Sequence, residues 1–167
     1  MAYAMTLAMI VLLTGQQNPF GDLGSTAERA KPAEAVRYLY PEQVSVVAGK
    51  ATAVALHFSV KAGLHINSHM PSEKDLIATV LTIPASSGVT AEAIQFPAGR
   101  EFVLAPAGPD GPSEKLNVYT GEFVVNAELR AVRGEHLVEG SLRYQACDNR
   151  ACMPPHTIPV VVDVIAR

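Results

Sequence analysis

The feature that most limits the fold of this chain is an alternation of apolar and polar side chains with a period of two. In residues 51–61 the larger apolar side chains fall on one face, and small or polar side chains fall on the other. This spacing is typical of a β-strand with one buried face. The residues predicted to face the core are Val54, Leu56, Phe58 and Val60.

The same pattern recurs along the chain and predicts five more strands, at residues 76–83, 89–96, 122–129, 137–146 and 157–165. Turn-forming Gly, Pro, Ser and Asp residues separate these segments. The strands are short and regularly spaced, and no segment shows a sustained helical period. The sequence therefore predicts an all-β fold, an antiparallel β-sandwich.

The first forty residues do not share this pattern. An apolar run at residues 7–13 is shorter than the roughly 20 residues that cross a bilayer, but it fits the apolar region of a secretory signal. The following segment is rich in Gln, Gly, Pro, Ala and charged residues, which is typical of a linker. We predict a signal peptide at 1–15, a linker at 16–40 and one folded domain at 41–167, with no membrane-embedded segment in the mature chain.

The charge balance argues against a nucleic-acid partner. The 167 residues include 13 basic and 16 acidic side chains, which gives a formal net charge of -3. A protein that binds a phosphate backbone needs a strongly basic surface. No nucleic acid is therefore expected among the partners.

The two cysteines, Cys147 and Cys152, lie five positions apart in one short segment. A disulfide between them would stabilise the fold by only about 2 kcal/mol, whereas a bridge across about 60 residues would contribute more than about 4 kcal/mol. Redox exchange explains such a weak crosslink better than stability does. An immunoglobulin-like binding module with a purely structural disulfide is the alternative.

A copper carrier is a second alternative, because soft side chains lie near the cysteines in sequence. One segment contains His65, His69 and Met70, and another contains both cysteines with Met153 and His156. Together they offer ligands of the kind that Cu(I) prefers. On an extended strand, however, the two histidines of the first segment would lie about 13 Å apart. No metal and no other cofactor is the favoured prediction.

Three motifs resemble those of one known family. Residues 144–155 resemble the Tyr-Gln-x-Cys…Cys-x-Pro-Pro signature of the N-terminal periplasmic domain of the thiol:disulfide interchange protein DsbD. Residues 63–68 resemble the Gly-x-His-x-Asn segment of this family, and residues 113–122 resemble its Tyr-x-Gly hairpin. The motifs occur in order and the resemblance covers residues 41–167.

The resemblance implies an immunoglobulin-like β-sandwich in the periplasm that passes reducing equivalents between proteins without a bound cofactor. A thioredoxin-like protein or domain would be the electron donor, and oxidised exported proteins would be the acceptors. By motif, Cys152 would form mixed disulfides with partners and Cys147 would resolve them. A cap loop would shield the pair with the side chain of Phe102, and Glu101 would be a nearby acid.

Overall fold

The described part of the chain is built from β-strands. A computed structural model gives the structure of residues 34–39, 43–86, 88–104, 106 and 113–167. Within these ranges no helix is long and apolar enough to cross a membrane. The strands are β1 (Val36–Leu39), β2 (Gln43–Val46), β3 (Ala51–Val60), β4 (His65–Asn67), β5 (Val80–Thr82), β6 (Val89–Gln95), β7 (Arg100–Leu104), β8 (Glu114–Tyr119), β9 (Glu122–Ala131), β10 (Gly134–Tyr144), β11 (Ala146–Cys147) and β12 (His156–Ala166).

These strands form three four-stranded sheets. The first has the order β1-β3-β9-β6, the second β2-β12-β10-β5 and the third β11-β4-β8-β7. Strand β2 runs parallel to β12, and the other pairs between these strands are antiparallel. The third sheet carries Cys147 at its edge and so positions the candidate site.

The core lies between the first two sheets, and the alternation in the sequence explains why. In β3 the four residues predicted to face inward are all buried, with Phe58 at 0% exposure. The same alternation buries every second residue of β9 and of the second half of β12. Burial of one face on each sheet is the main source of stability in a sandwich. The predicted all-β sandwich is confirmed.

The strand predicted at residues 76–83 is much shorter in the structure, where it is β5. The residues before it bond to the last residue of β4 and to the residue that follows it instead of extending a sheet. Thr79 N donates to Ser68 O at 3.1 Å, and Thr79 Oγ1 donates to Asn67 O at 2.5 Å. Asn67 Nδ2 donates to Ile77 O at 3.1 Å. Residues 77 and 79 thus form hydrogen bonds with residues 67 and 68 in place of the ladder bonds of a strand.

Strand β1 lies within residues 16–40, which the sequence assigned to a linker. Val36 is fully buried, pairs with Val60 and donates its N–H to Tyr144 Oη at 3.3 Å. A strand of four residues is too short to give a period-two signal, and the Gly- and Pro-rich composition upstream hides it. The folded part therefore includes Val36–Leu39. The predicted signal peptide lies outside the described residues.

Candidate functional site

The two cysteines are joined in a disulfide, with their Cα atoms 3.9 Å apart. Cys147 ends β11, and Cys152 faces it across an isolated antiparallel bridge. Met153 N donates to Ala146 O at 2.8 Å beside this bridge. The two residues differ sharply in exposure: Cys147 is 2% exposed, whereas Cys152 lies in an exposed segment. The Cys152 side of the bond is therefore more accessible to solvent than the Cys147 side.

Asp148 closes the loop between the cysteines. Its Oδ1 accepts the backbone N–H groups of Arg150 at 2.7 Å and Ala151 at 2.8 Å, and its own N–H donates to Ala151 O at 3.0 Å. The bonds from Ala151 and Arg150 lower the pKa of Asp148, and the charge of Arg150, with that of His65 when its imidazole is protonated, lowers it further. Asp148 is therefore an ionised turn residue at neutral pH. Its carboxylate stabilises the turn by accepting backbone N–H groups of the loop.

The Tyr-Gln pair that precedes the cysteines fixes the segment on both sides. Tyr144 is buried at the end of β10, and its hydroxyl accepts the Val36 N–H described above. Gln145 Nε2 donates to Met153 O at 3.2 Å and so holds the chain just after Cys152. The Tyr-Gln pair of the motif therefore uses its polar groups to hold the chain on each side of the cysteines.

His65 lies next to the disulfide on the neighbouring strand. It pairs in register with Cys147 across β4 and β11, and it is 2% exposed. Burial lowers the pKa of His65, and the nearby carboxylate of Asp148 partly opposes this change. The sequence indicates His65 as a candidate metal ligand and as the histidine of the Gly-x-His-x-Asn segment. Its pairing with Cys147 could not be predicted, because strands of three and two residues give no periodic signal.

Phe102 and Glu101 lie on β7, so the predicted cap loop is a strand paired with β8. Phe102 is half-buried, and its ring centroid lies 4.3 Å from that of His65. Glu101 is exposed and forms an ion pair with Lys115, with Nζ to Oε1 at 3.2 Å. Because neighbouring residues of a strand point to opposite faces, Glu101 faces away from the side that Phe102 covers. The structure therefore brings Phe102, but not Glu101, against the neighbour of Cys147.

His69 lies in the chain that follows β4 and is held there by Tyr119 of β8. Tyr119 Oη lies 3.0 Å from Pro97 O, 3.3 Å from His69 N and 2.8 Å from His69 Nδ1. The hydroxyl has one proton and donates it to Pro97 O, so the Nδ1 of His69 must carry a hydrogen and donate in turn. The ring of His69 also stacks on Phe96, with centroids 4.8 Å apart. These contacts give His69 a structural role.

The candidate copper ligands do not form one assembled site. Both sulfurs of the cysteines are used in the disulfide, and Met70 and Met153 are 68% and 41% exposed. His156 packs edge-on against Tyr144, with centroids 5.9 Å apart. Across the described ranges no group of three or more His, Cys, Asp or Glu side chains is arranged to hold a metal ion. Of the candidate copper ligands, the two cysteines thus form a disulfide and do not offer free thiolates to a metal ion.

Comparison with known proteins agrees with this geometry. The family described as "Thiol:disulfide interchange protein DsbD, N-terminal" matches residues 35–163. The N-terminal domain of DsbD from Neisseria meningitidis, solved in the reduced form, is 18% identical, with a TM-score of 0.43, over 70% of this chain and 80% of that one. No curated protein sequence matches the chain.

A second solved structure shows the fold. The N-terminal periplasmic domain of ScsB from Proteus mirabilis is 15% identical, with a TM-score of 0.50, over 77% of this chain. This chain spans 44% of the ScsB chain, so the likeness applies to one part of that protein.

Proposed function

Because this chain belongs to the family of the N-terminal domain of the thiol:disulfide interchange protein DsbD, and because its two cysteines form a disulfide, we propose that Cys152 reacts with partner proteins and Cys147 resolves the products. The chain is then a thiol–disulfide interchange module with the immunoglobulin-like sandwich of this family. The observation that carries the proposal is the unequal exposure of the two cysteines.

The reaction needs only thiols and disulfides. A thiolate of a donor dithiol attacks Cys152 Sγ, the Cys147–Cys152 bond breaks, and Cys147 leaves with the electron pair. The second donor thiolate then attacks the donor sulfur of the mixed disulfide and releases Cys152 as a thiolate. Toward an acceptor the sequence is reversed: Cys152 attacks the acceptor disulfide, and Cys147 then attacks Cys152 Sγ and frees the acceptor thiolate.

The family acts in a thiol–disulfide relay with thioredoxin-like partners. We propose a thioredoxin-like protein or domain as the donor to this chain and oxidised exported proteins as the acceptors. The family domain is periplasmic, and the apolar run at residues 7–13 supports export of this chain by a signal peptide at 1–15. The exposed segment around Cys152, which continues through Pro154 and Pro155, supports docking of a protein partner there.

A trapping experiment tests the roles of the two cysteines. The Cys147→Ala variant, mixed with an exported thioredoxin-like protein that keeps only its attacking cysteine in an activated disulfide, should accumulate a mixed disulfide through Cys152. The reason is that the resolving thiolate has been removed while the exposed one remains. Non-reducing electrophoresis with mass spectrometry of the crosslinked peptide measures the product.

The matched control is Cys152→Ala under the same conditions. Its remaining Cys147 is 2% exposed, so it should form little or no crosslink. Equal yields from the two variants would contradict the assigned roles. Failure of Cys147→Ala to trap any thioredoxin-like protein would contradict the interchange function.

Phe102 gives a second prediction on access to the disulfide. Its ring covers His65, which borders the buried Cys147. Phe102→Ala should therefore open a second route of attack, at Cys147 Sγ, and increase the rate at which glutathione reduces the disulfide several-fold. Val103→Ala is the matched control, because Val103 is 54% exposed and points to the other face of β7. The measurement is the reduction rate of each oxidised variant at equal glutathione concentration. Identical rates for the two variants would show that Phe102 does not shield the bond.

A further inference from the structure

His65 is a buried, titratable side chain that the exchange reaction described above does not use. Its Nε2 is buried and has no hydrogen-bond partner among the described residues. A buried polar atom without a partner is costly, and most such atoms in folded proteins are paired. A purely structural histidine in this position would be expected to bond to a neighbour, as His69 does with Tyr119.

The register of the third sheet places this side chain beside a reacting sulfur. His65 and Cys147 are directly opposed on the antiparallel strands β4 and β11. Side chains at opposed positions point to the same face, with Cβ atoms about 4.5–5.5 Å apart. In the oxidised protein the sulfur of Cys147 is bonded to Cys152 and carries no proton. When that bond opens, Cys147 gains a protonation site next to the unpartnered imidazole.

We propose that His65 is the proton-transfer partner of Cys147 during exchange. This inference rests on the function proposed above. When the mixed disulfide is resolved, Nε2 accepts the proton of the Cys147 thiol. The resulting thiolate attacks Cys152 Sγ, a new Cys147–Cys152 bond forms, and the partner sulfur leaves as a thiolate. The imidazolium then releases this proton to solvent. In the opposite direction His65 first takes a proton from solvent, and the imidazolium gives it to Cys147 as that sulfur leaves.

The surrounding charges are consistent with this role. Asp148, in the loop that follows β11, raises the pKa of His65, whereas burial has the larger, opposite effect. Arg150 lies beside Asp148, and Lys61 lines the same open cleft as His65. From β7 the ring of Phe102, which does not titrate, covers the imidazole. Because burial dominates, His65 is neutral at pH 7 and can accept a proton.

The test uses a small disulfide, so that it does not depend on a protein partner. Reduced protein is mixed with 5,5′-dithiobis(2-nitrobenzoate) in a stopped-flow instrument. The first thionitrobenzoate released reports attack by Cys152, and the second reports resolution by Cys147. In His65→Phe, which keeps an aromatic ring against Phe102, the second release should slow by about 100-fold at pH 7. The first release should stay unchanged.

The pH profile separates proton transfer from a structural role. In the wild type the rate of the second release should be nearly constant above the pKa of His65 and should fall below it. In His65→Phe solvent must deprotonate the Cys147 thiol, so the rate should instead follow the thiolate fraction of Cys147 over the whole range below the thiol pKa, with no break at the pKa of His65. His136→Phe is the matched control, because His136 lies at the opposite end of β10 from the cysteine segment and bonds to Val132 O. Equal slowing of both releases, or an unchanged profile in His65→Phe, would overturn the proposal.

A second measurement needs no variant and applies even if His65→Phe does not fold. The ¹⁵N chemical shifts of His65 in the wild type are followed with pH in the oxidised and reduced states. Coupling to the Cys147 thiol predicts different titration curves, whereas identical curves would overturn the proposal. Different titration curves in the two states, together with failed trapping of a protein partner, would reject the proposed relay function but not the role of His65.

Discussion

Phe58→Ala is expected to lower the free energy of unfolding by about 4 kcal/mol. Phe58 is 0% exposed in β3, and its ring centroid lies 5.3 Å from those of both Tyr38 and Phe123. Removing the ring therefore leaves a cavity between the two main sheets and removes contacts with both neighbours. Denaturant unfolding of the oxidised protein measures the change.

The matched control for Phe58→Ala is Val132→Ala, because Val132 is 60% exposed. Its effect should stay within about 0.5 kcal/mol. Folded Phe58→Ala should also react with glutathione at the wild-type rate, since Phe58 belongs to the first sheet and the cysteine segment adjoins the third. A stability loss below about 1 kcal/mol would contradict the assignment of Phe58 to the core.

Loss of the disulfide is expected to have a smaller effect. Cys152→Ser should lower the free energy of unfolding by about 2 kcal/mol, because the loop that it opens is short. Cys152 lies in an exposed segment, so this variant removes the bond without emptying a core position. Denaturant unfolding compared with the oxidised wild type measures the difference.

The wild type reduced with dithiothreitol is the control for this variant, and both should unfold at the same denaturant concentration. The result also separates two functions. A loss well above about 4 kcal/mol would mean that the disulfide is a structural crosslink, as the alternative of an immunoglobulin-like binding module requires. A loss of about 2 kcal/mol would mean that the disulfide contributes little to stability, which favours a role in exchange.

The long strands could be predicted from the sequence because each has enough residues to repeat the period. The segments predicted at residues 122–129 and 157–165 correspond to β9 and β12, and the apolar residues at alternate positions of both strands are buried. The short strands could not be predicted in this way. β1, β4 and β11 have four, three and two residues, and their places depend on partners distant in the chain.

The candidate site shows the same limit more sharply. The spacing of Cys147 and Cys152 pointed to exchange chemistry, and the family motif assigned their roles. The unequal exposure of the pair, however, depends on which strand covers Cys147. The family resemblance implies a cap loop at Glu101 and Phe102, and the strand alternation that turns Glu101 away from Phe102 is not expected in a loop. Only the pairing of β7 with β8 shows which side chain faces His65.

The pairing of β2 with β12 joins residues far apart in the chain, such as Gln43 and Asp163, whose side chains bond at 2.9 Å. Sandwiches dominated by such contacts fold in about milliseconds to seconds, whereas a loop of about ten residues closes in about 10–100 ns. The cysteines therefore meet repeatedly long before the domain is complete. Since the chain has only these two cysteines, an oxidant can form the correct bond in the unfolded chain. We expect no isomerisation step during its maturation.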